Sequence, residues 1–188
     1  QQCLHGQGVP DVVIANAGIS IGMDTQVRGD LDVMARTFAV NNVGLAATFH
    51  AFVAPMVTRG TGRLVGIASV AGIRGLPGHG AYCASKAGVI SYCESLRGEL
   101  RGTGVGVVTI GPGYIDTPLT QKNRYRMPFV MSPHDFAERA YSAIDANVSY
   151  RVIPWQMGWL AKGLRMLPNA LFDRVLAGRP RKRRADGS

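Results

Sequence analysis

The 188 residues include only three cysteines. Cys3, Cys83 and Cys93 are odd in number, form no Cys-x-x-Cys pair and have no His pair nearby, which argues against a disulfide framework and a zinc site. A reducing, cytoplasmic setting is therefore expected. Gly, Asn or Arg interrupts each apolar stretch well before the roughly 18 residues a spanning helix needs, so the chain reads as soluble. It opens on Gln1 without a basic n-region or an apolar h-region, so no signal peptide is visible and the true N-terminus is suspected to lie upstream. Acidic residues are outnumbered, 12 against 21 Lys and Arg, for a net charge of +9. Five of those cations, Arg179, Arg181, Lys182, Arg183 and Arg184, crowd the end of the chain beside Asp186. The basic tail, 179–188, is expected to be a solvated, disordered end rather than a nucleic-acid or lipid contact.

What is present suits one globular domain. With 46% hydrophobic and 18% charged residues, the chain can bury a core. Its 24 Gly and 10 Pro are scattered at turn-like places, as many short connections require. Four β-branched runs, Asp11 to Ala15, Arg63 to Ala68, Val105 to Ile110 and Tyr150 to Trp155, are nearly all apolar rather than alternating. Strands covered on both faces look like that, and they belong to parallel sheets flanked by helices. The expected class is α/β, a three-layer, Rossmann-like, doubly wound parallel sheet.

Helical periods fill the gaps. Asp30 reads as an N-cap, and Leu31, Met34, Phe38, Leu45, Phe49, Phe52, Val53 and Met56 predict one long helix to about Val57. Ala84, Val89, Tyr92 and Leu96 predict a second helix from Ala81 to Leu100, closed by Gly102 to Gly104. Ser132, Pro133 and Asp135 supply a cap, a first-turn proline and an acidic third residue for a helix ending near Ala146. Between the third strand and that helix, Thr117 to Met131 is too long for a tight turn and mixes basic residues with Met127, Phe129, Val130 and Met131. Long loops at the carboxyl ends of parallel strands are where such sheets receive ligands, so this stretch is read as a substrate lid.

The chemistry points to Ser69, Tyr82 and Lys86. Tyr82 and Lys86 stand four apart on one predicted helix face. A phenol titrating near 10 exchanges a proton more readily beside a positive charge, which Lys86 supplies. Ser69, at a strand end, is placed to hold a substrate oxygen beside the phenol. Together they describe acid/base work on a carbonyl or alcohol. Six Tyr and four Lys make about 0.13 such pairs expected by chance, so the pair alone is weak evidence and a snorkelling lysine beside a core tyrosine would explain it.

The pair has company. Asn16-Ala17-Gly18 after the first strand, Asn41-Asn42-Val43-Gly44 in the first long helix, Ser69 thirteen residues before Tyr82, Tyr82-Cys83-Ala84-Ser85-Lys86, and Pro112-Gly113-Tyr114-Ile115-Asp116-Thr117 follow in order. In motif, spacing and strand context the chain resembles the short-chain dehydrogenase/reductase family from Asp11 to at least Ala146. The resemblance implies an NAD(P)-dependent oxidoreductase that interconverts a carbonyl and an alcohol by hydride transfer. It makes Tyr82 the acid/base, with Lys86 lowering its pKa and binding the nicotinamide ribose. Ser69 would position the substrate carbonyl, and Asn41 would hold a water linking Lys86 to solvent. Asn16, Ala17 and Gly18 are expected near the adenosine side. Pro112 and Gly113 would wrap the nicotinamide, with the Ile115 backbone and the Thr117 hydroxyl meeting its carboxamide.

The family's opening strand, its TGxxxGxG turn and the strand that reads the adenosine ribose have no counterpart in these residues. Gly6-Gln7-Gly8 precedes a strand instead of following one and is rejected as a phosphate loop. The chain is expected to be the C-terminal two-thirds of a longer reductase; a natural truncation acting as a non-catalytic binding or scaffold protein is the alternative. The cofactor is expected to be NADP(H) or NAD(H), and the resemblance leans toward NADP(H).

For substrate contacts, Ser69, Ile73, Met127 and Phe129 are candidates, with Arg74 and Leu76 on the same side and Arg124 and Arg126 near the lid. They suggest a mostly apolar carbonyl or alcohol, with or without an anionic end. His79 is read as a surface-loop residue. Residues 1–178 are expected to be one domain, with 156–178 a helical extension whose face carries Trp155, Trp159, Leu160, Leu164, Leu167, Leu171, Phe172, Val175 and Leu176. Packing on the domain or a partner subunit ranks ahead of an interfacial membrane contact for that face. The resemblance implies a homodimer or homotetramer through the two long helices; no nucleic-acid partner and no metal are expected.

Overall fold

Strands that are apolar at consecutive positions must bury both faces, and the structure, a computed structural model, shows how these do so. It describes residues 6, 8–118, 120–121, 127–178, 182 and 184. Strands β1 (Val12–Ala15), β2 (Gly62–Ile67), β3 (Val105–Pro112) and β4 (Tyr150–Ile153) form a fully parallel sheet in that order. Val13 pairs with Leu64, Leu64 with Val107, and Ile110 with Arg151. Adjacent residues serve opposite layers. Leu64, Val105 and Val107 join Leu45, Phe49, Met56, Val89 and Leu96 in one core. Val65, Val108 and Ile110 join Ala140, Ala143 and Ile144 in the other. The result is the expected three-layer, doubly wound α/β sheet. At the β1 edge, Val12 and Ile14 remain 42% and 50% exposed.

The first crossover is α1 (Asp30–Phe38), a π-helical turn (Ala39–Val43) and α2 (Gly44–Arg59). The single regular helix expected here is therefore interrupted at the Asn41-Asn42 pair. Asp30 also departs from expectation: Gly29 is the cap residue, and Asp30 opens the helix with its carboxylate buried. That carboxylate accepts from the Asp24 amide and from Arg184, which hold its pKa down at about 2. The 30 residues Asp30–Arg59 are, by length and composition, long and apolar enough to cross a membrane, contrary to the expectation that no segment is. Phe49 and Met56, fully buried against the sheet, account for part of that apolar character.

Helix α3 (Gly80–Glu99) follows β2 through a 3₁₀ turn at Val70–Gly72. Helix α4 (Pro133–Asp145) begins as its sequence dictates, with Ser132 Oγ accepting from the Asp135 amide at 3.0 Å. After β4, which stops at Ile153, the chain forms α5 (Trp155–Met166) and α6 (Asn169–Leu176). Two described tail residues are held down instead of solvated. Lys182 donates to Ser20 Oγ at 2.8 Å, and Arg184 pairs with Asp30 and bridges to Gly22. Cys3, Arg124, Arg126, Arg179, Arg181, Arg183 and Asp186 lie outside the described residues.

Candidate active site

Three of the predicted residues meet where β2 ends and α3 begins. Ser69 follows β2 in extended conformation (φ −171°, ψ 157°), and its Oγ accepts from the Ala71 amide to cap the 3₁₀ turn. The same hydroxyl faces the Tyr82 phenol closely enough to lower its pKa. Lys86 stands one turn further along α3, its Nζ 5.9 Å from the Tyr82 ring centroid, and donates to the Ile67 carbonyl at 2.7 Å. The ammonium thus ties α3 to the strand tip that presents Ser69. Glycine makes this approach feasible: a Cβ at Gly72 would lie 2.7 Å from the Lys86 carbonyl carbon, inside van der Waals contact with backbone that cannot yield.

The electrostatics differ from the sequence expectation in one respect. Burial pushes the Tyr82 phenol above its ordinary value of 10, Ser69 opposes this in part, and Lys86 is not among the causes. The phenol therefore holds its proton at neutral pH, the form in which it can act as an acid. The cost of burial falls on Lys86, whose pKa drops from 10.5 to about 8 by desolvation. It is still mostly charged near pH 7.

Asn41 is 1% exposed, within the π turn. Its amide donates to the Ile19 carbonyl at 3.0 Å and to Ser85 Oγ at 2.9 Å, while its oxygen accepts from the Ile19 amide at 2.8 Å. Ser85 in turn donates to the Tyr82 carbonyl. Asn41 therefore clamps the loop after β1 to α3. A π turn displaces side chains relative to a regular helix and recurs at functional sites; apolar periodicity carries no sign of it.

Asn16, Ala17 and Gly18 leave β1 exposed beside this clamp. A Cβ on Gly18 would sit 3.3 Å from Asn41 Oδ1 and 3.4 Å from Lys86 Nζ, so the glycine keeps bare backbone against the ammonium. Lys86 has one hydrogen-bond acceptor among the described residues and donor capacity for others. A bare backbone ledge next to an ammonium with spare donors fits the hydroxyls of a nicotinamide ribose. Across the sheet, Pro112 ends β3 and Gly113 donates to the Ile153 carbonyl. Ile115 is buried and bridges to Met131, and its carbonyl accepts from the Thr120 hydroxyl. Thr117 Oγ1 lies 3.3 Å from Thr120 Oγ1. Of the lid, Phe129 has φ 55° and is 51% exposed, an unusual backbone conformation for a bulky residue.

Two expectations about the rim do not hold. Arg74 does not line the substrate side: its guanidinium donates to the Leu164 and Leu167 carbonyls and to Asn169 Oδ1, and stacks 3.7 Å over the Phe172 ring. It caps the end of α5 and pins the corner before α6. His79 is buried instead of lying on a surface loop, its Nδ1 3.1 Å from the Pro77 carbonyl, and burial holds its pKa below the usual value. The structure also brings in two residues that the sequence marks only as members of motifs, without a role. Tyr114 lies close enough to raise the Tyr82 pKa, and Ser85 links Asn41 to the Tyr82 turn.

The Arg74 pin has a measurable consequence. Arg74→Ala should cost about 2 kcal/mol through the orphaned carbonyls of α5, visible as a lower denaturation midpoint and faster proteolysis near Leu167. Arg74→Lys should recover little of this, because a single ammonium cannot reproduce the planar fork over Phe172.

The short chain dehydrogenase family model matches residues 1–127. An uncharacterized oxidoreductase of Myxococcus xanthus is 44% identical over 166 residues, covering 87% of this chain. The chain spans 64% of that relative's length. Among solved structures, a short chain dehydrogenase from Burkholderia cenocepacia in complex with NADP aligns with a TM-score of 0.75 at 23% identity, over 89% of this chain and 69% of its own. A 4-hydroxyisoleucine dehydrogenase complexed with NADH and succinate aligns with a TM-score of 0.71 at 26% identity, over 81% and 70% of the two chains. With the family matched over more than half of the chain and its Ser, Tyr and Lys gathered at one strand tip, the chain belongs to the short-chain dehydrogenase/reductase family.

Proposed function

We propose that the protein to which this chain belongs is a nicotinamide-dependent oxidoreductase that interconverts a carbonyl and an alcohol at the Ser69–Tyr82–Lys86 site. The observation that carries this reading is the gathering of Ser69, Tyr82 and Lys86 at one strand tip, where the Ser69 hydroxyl acts on the Tyr82 phenol and the Lys86 ammonium lies 5.9 Å from the same ring. A bound nicotinamide dinucleotide supplies the hydride donor or acceptor. In the reducing direction, Ser69 holds the substrate oxygen, and Tyr82 gives that oxygen its proton as the new C–H bond forms at the carbonyl carbon. Oxidation reverses both transfers. Lys86 offers its remaining donors to the ribose hydroxyls, and its charge stabilises the phenolate that Tyr82 becomes. Asn41 fixes the loop after β1 and, through Ser85, the turn of α3 that bears Tyr82; it is also the residue to hold a water for proton relay.

Asn16, Ala17, Gly18, Tyr82, Lys86, Pro112, Gly113, Ile115 and Thr117 form the cofactor side in this reading. The complexes with NADP and NADH among its structural neighbours support a nicotinamide cofactor, and we favour NADP(H) over NAD(H). The substrate is a small carbonyl or alcohol, mostly apolar, contacted by Ser69, Ile73, Met127 and Phe129. Assembly as a homodimer or homotetramer through α1, α2 and α3 is favoured by the outward faces of these helices, where Val43 is 65% and Tyr92 38% exposed. A cytoplasmic location accords with the two buried, unpaired thiols, Cys83 and Cys93.

The test is direct: titrate the whole protein with NADPH and NADH by cofactor fluorescence, then screen aldehydes and ketones for loss of nicotinamide absorbance. Saturable binding and turnover are expected. Binding of neither dinucleotide would contradict the reading.

A further inference from the structure

We propose that the outer face of α5 is a docking surface for an anionic lipid bilayer. The helix is apolar on two sides that do different work. Met157, Gly158 and Ala161 are buried toward the domain, and Met157 packs where a Cβ on Gly113 would come within 2.8 Å. The exposed side carries Trp155 (62% exposed), Trp159 (69%), Leu160 (42%) and Met166 (85%). Trp155, Trp159, Lys162 and Met166 are spaced by four, three and four residues, which places them in one stripe along the helix. Folding buries the first side and leaves a row of large apolar groups in water, so the stripe adds nothing to the core.

Charge identifies the occupant. Helix α5 carries Lys162 and Arg165 and no acidic residue. Lys162 Nζ lies 5.7 Å from the Trp159 ring centroid, so cation and indole present themselves together. Asp173 is the one acid in α5 and α6, against Lys162, Arg165 and Arg174. A second copy seated on this face about a twofold axis would set like charges against like charges. An anionic headgroup layer complements them instead: indoles settle at the boundary between headgroups and acyl chains, and cations meet phosphates and carboxylates. Leu171 and Val175 on α6, 44% and 40% exposed, provide further apolar surface beyond the Pro168 corner. Because Arg74 pins that corner to the loop after Ser69, docking would hold the bilayer surface in fixed relation to the substrate side of the site.

The chain contains two tryptophans and both lie on this face, so intrinsic emission reports directly on it. Titrating the whole protein with vesicles of phosphatidylcholine containing about a third phosphatidylserine should shift the emission to the blue and carry the protein into the pellet, both reversed by salt. The double variant Lys162→Glu with Arg165→Glu, unchanged in circular dichroism, should partition at least about tenfold more weakly. Trp155→Ala with Trp159→Ala should likewise lose sedimentation. No shift and no sedimentation at saturating lipid overturns the proposal, as does equal binding to phosphatidylcholine alone. A blue shift that grows with protein concentration without lipid overturns it in favour of a second copy on this face.

Discussion

Replacing Tyr82 by Phe should lower turnover by about 10²- to 10⁴-fold while leaving dinucleotide affinity and fold nearly unchanged. The exchange keeps the ring that packs at the start of α3 and removes one hydroxyl. Ser69 still caps the 3₁₀ turn by accepting from the Ala71 amide at 3.2 Å. The stability cost is accordingly about 1 kcal/mol. The chemical cost is far larger, because the substrate oxygen then has no side-chain acid at the point where charge develops. Steady-state turnover with a confirmed substrate, alongside cofactor titration and circular dichroism, separates the two. A variant that turns over like the wild type would remove Tyr82 from its role.

Lys86→Met should reduce turnover by about 10²-fold or more, yet leave the folded state at neutral pH as stable as the wild type or more so. The opposing signs follow from desolvation. Lys86 titrates at about 8 in the fold and at 10.5 when unperturbed. Between these values the unfolded chain binds more protons than the folded one, so stability from this group rises with pH across roughly 8 to 10.5. Below about 8 the fold carries the full penalty of a buried ammonium, about 3 kcal/mol at 1.36 kcal/mol per pKa unit. Methionine removes that penalty and fills a similar volume, against the loss of one hydrogen bond to Ile67. In the wild type, losing the ammonium should also produce an alkaline limb in the activity profile beginning near pH 8, absent from the residual activity of the variant. Urea melts at several pH values and a pH–rate profile check both halves. A variant that is active but unstable would show that Lys86 is structural.

The parts of the molecule legible in the sequence are those that local physics decides. Leu64 beside Val65, and Val107 beside Val108, can be adjacent only in a strand with a core on each side, and the two clusters divide them that way. Ser132, Pro133 and Asp135 specify the start of α4 by themselves. Tyr82 and Lys86 are neighbours by helical spacing, and Ser69 reaches them because a parallel strand must end at the lip where the next helix begins. What could not be read depends on distant partners. The destination of Arg74 lies some ninety residues further along, at the end of α5. Asp30 looks like a helix cap until Arg184, from the far end of the chain, pairs with it. His79 is buried under contacts that its neighbours in sequence do not disclose. The π turn at Asn41 changes the hydrogen-bond pattern without disturbing apolar spacing, so periodicity passes over it. The direction of the Tyr82 shift needed the depth of burial, which helical spacing does not disclose.

The central claim is that this strand tip and helix transfer a proton in step with a hydride, and label transfer tests it most directly. The whole protein is mixed with dinucleotide deuterated at the nicotinamide C4 position and a carbonyl substrate, under single-turnover conditions. Deuterium is expected at the former carbonyl carbon of the alcohol product for the wild type, and a rate lower by about two orders of magnitude or more for Tyr82→Phe at full cofactor occupancy. Product without the label, or equal rates for the two proteins, would contradict it.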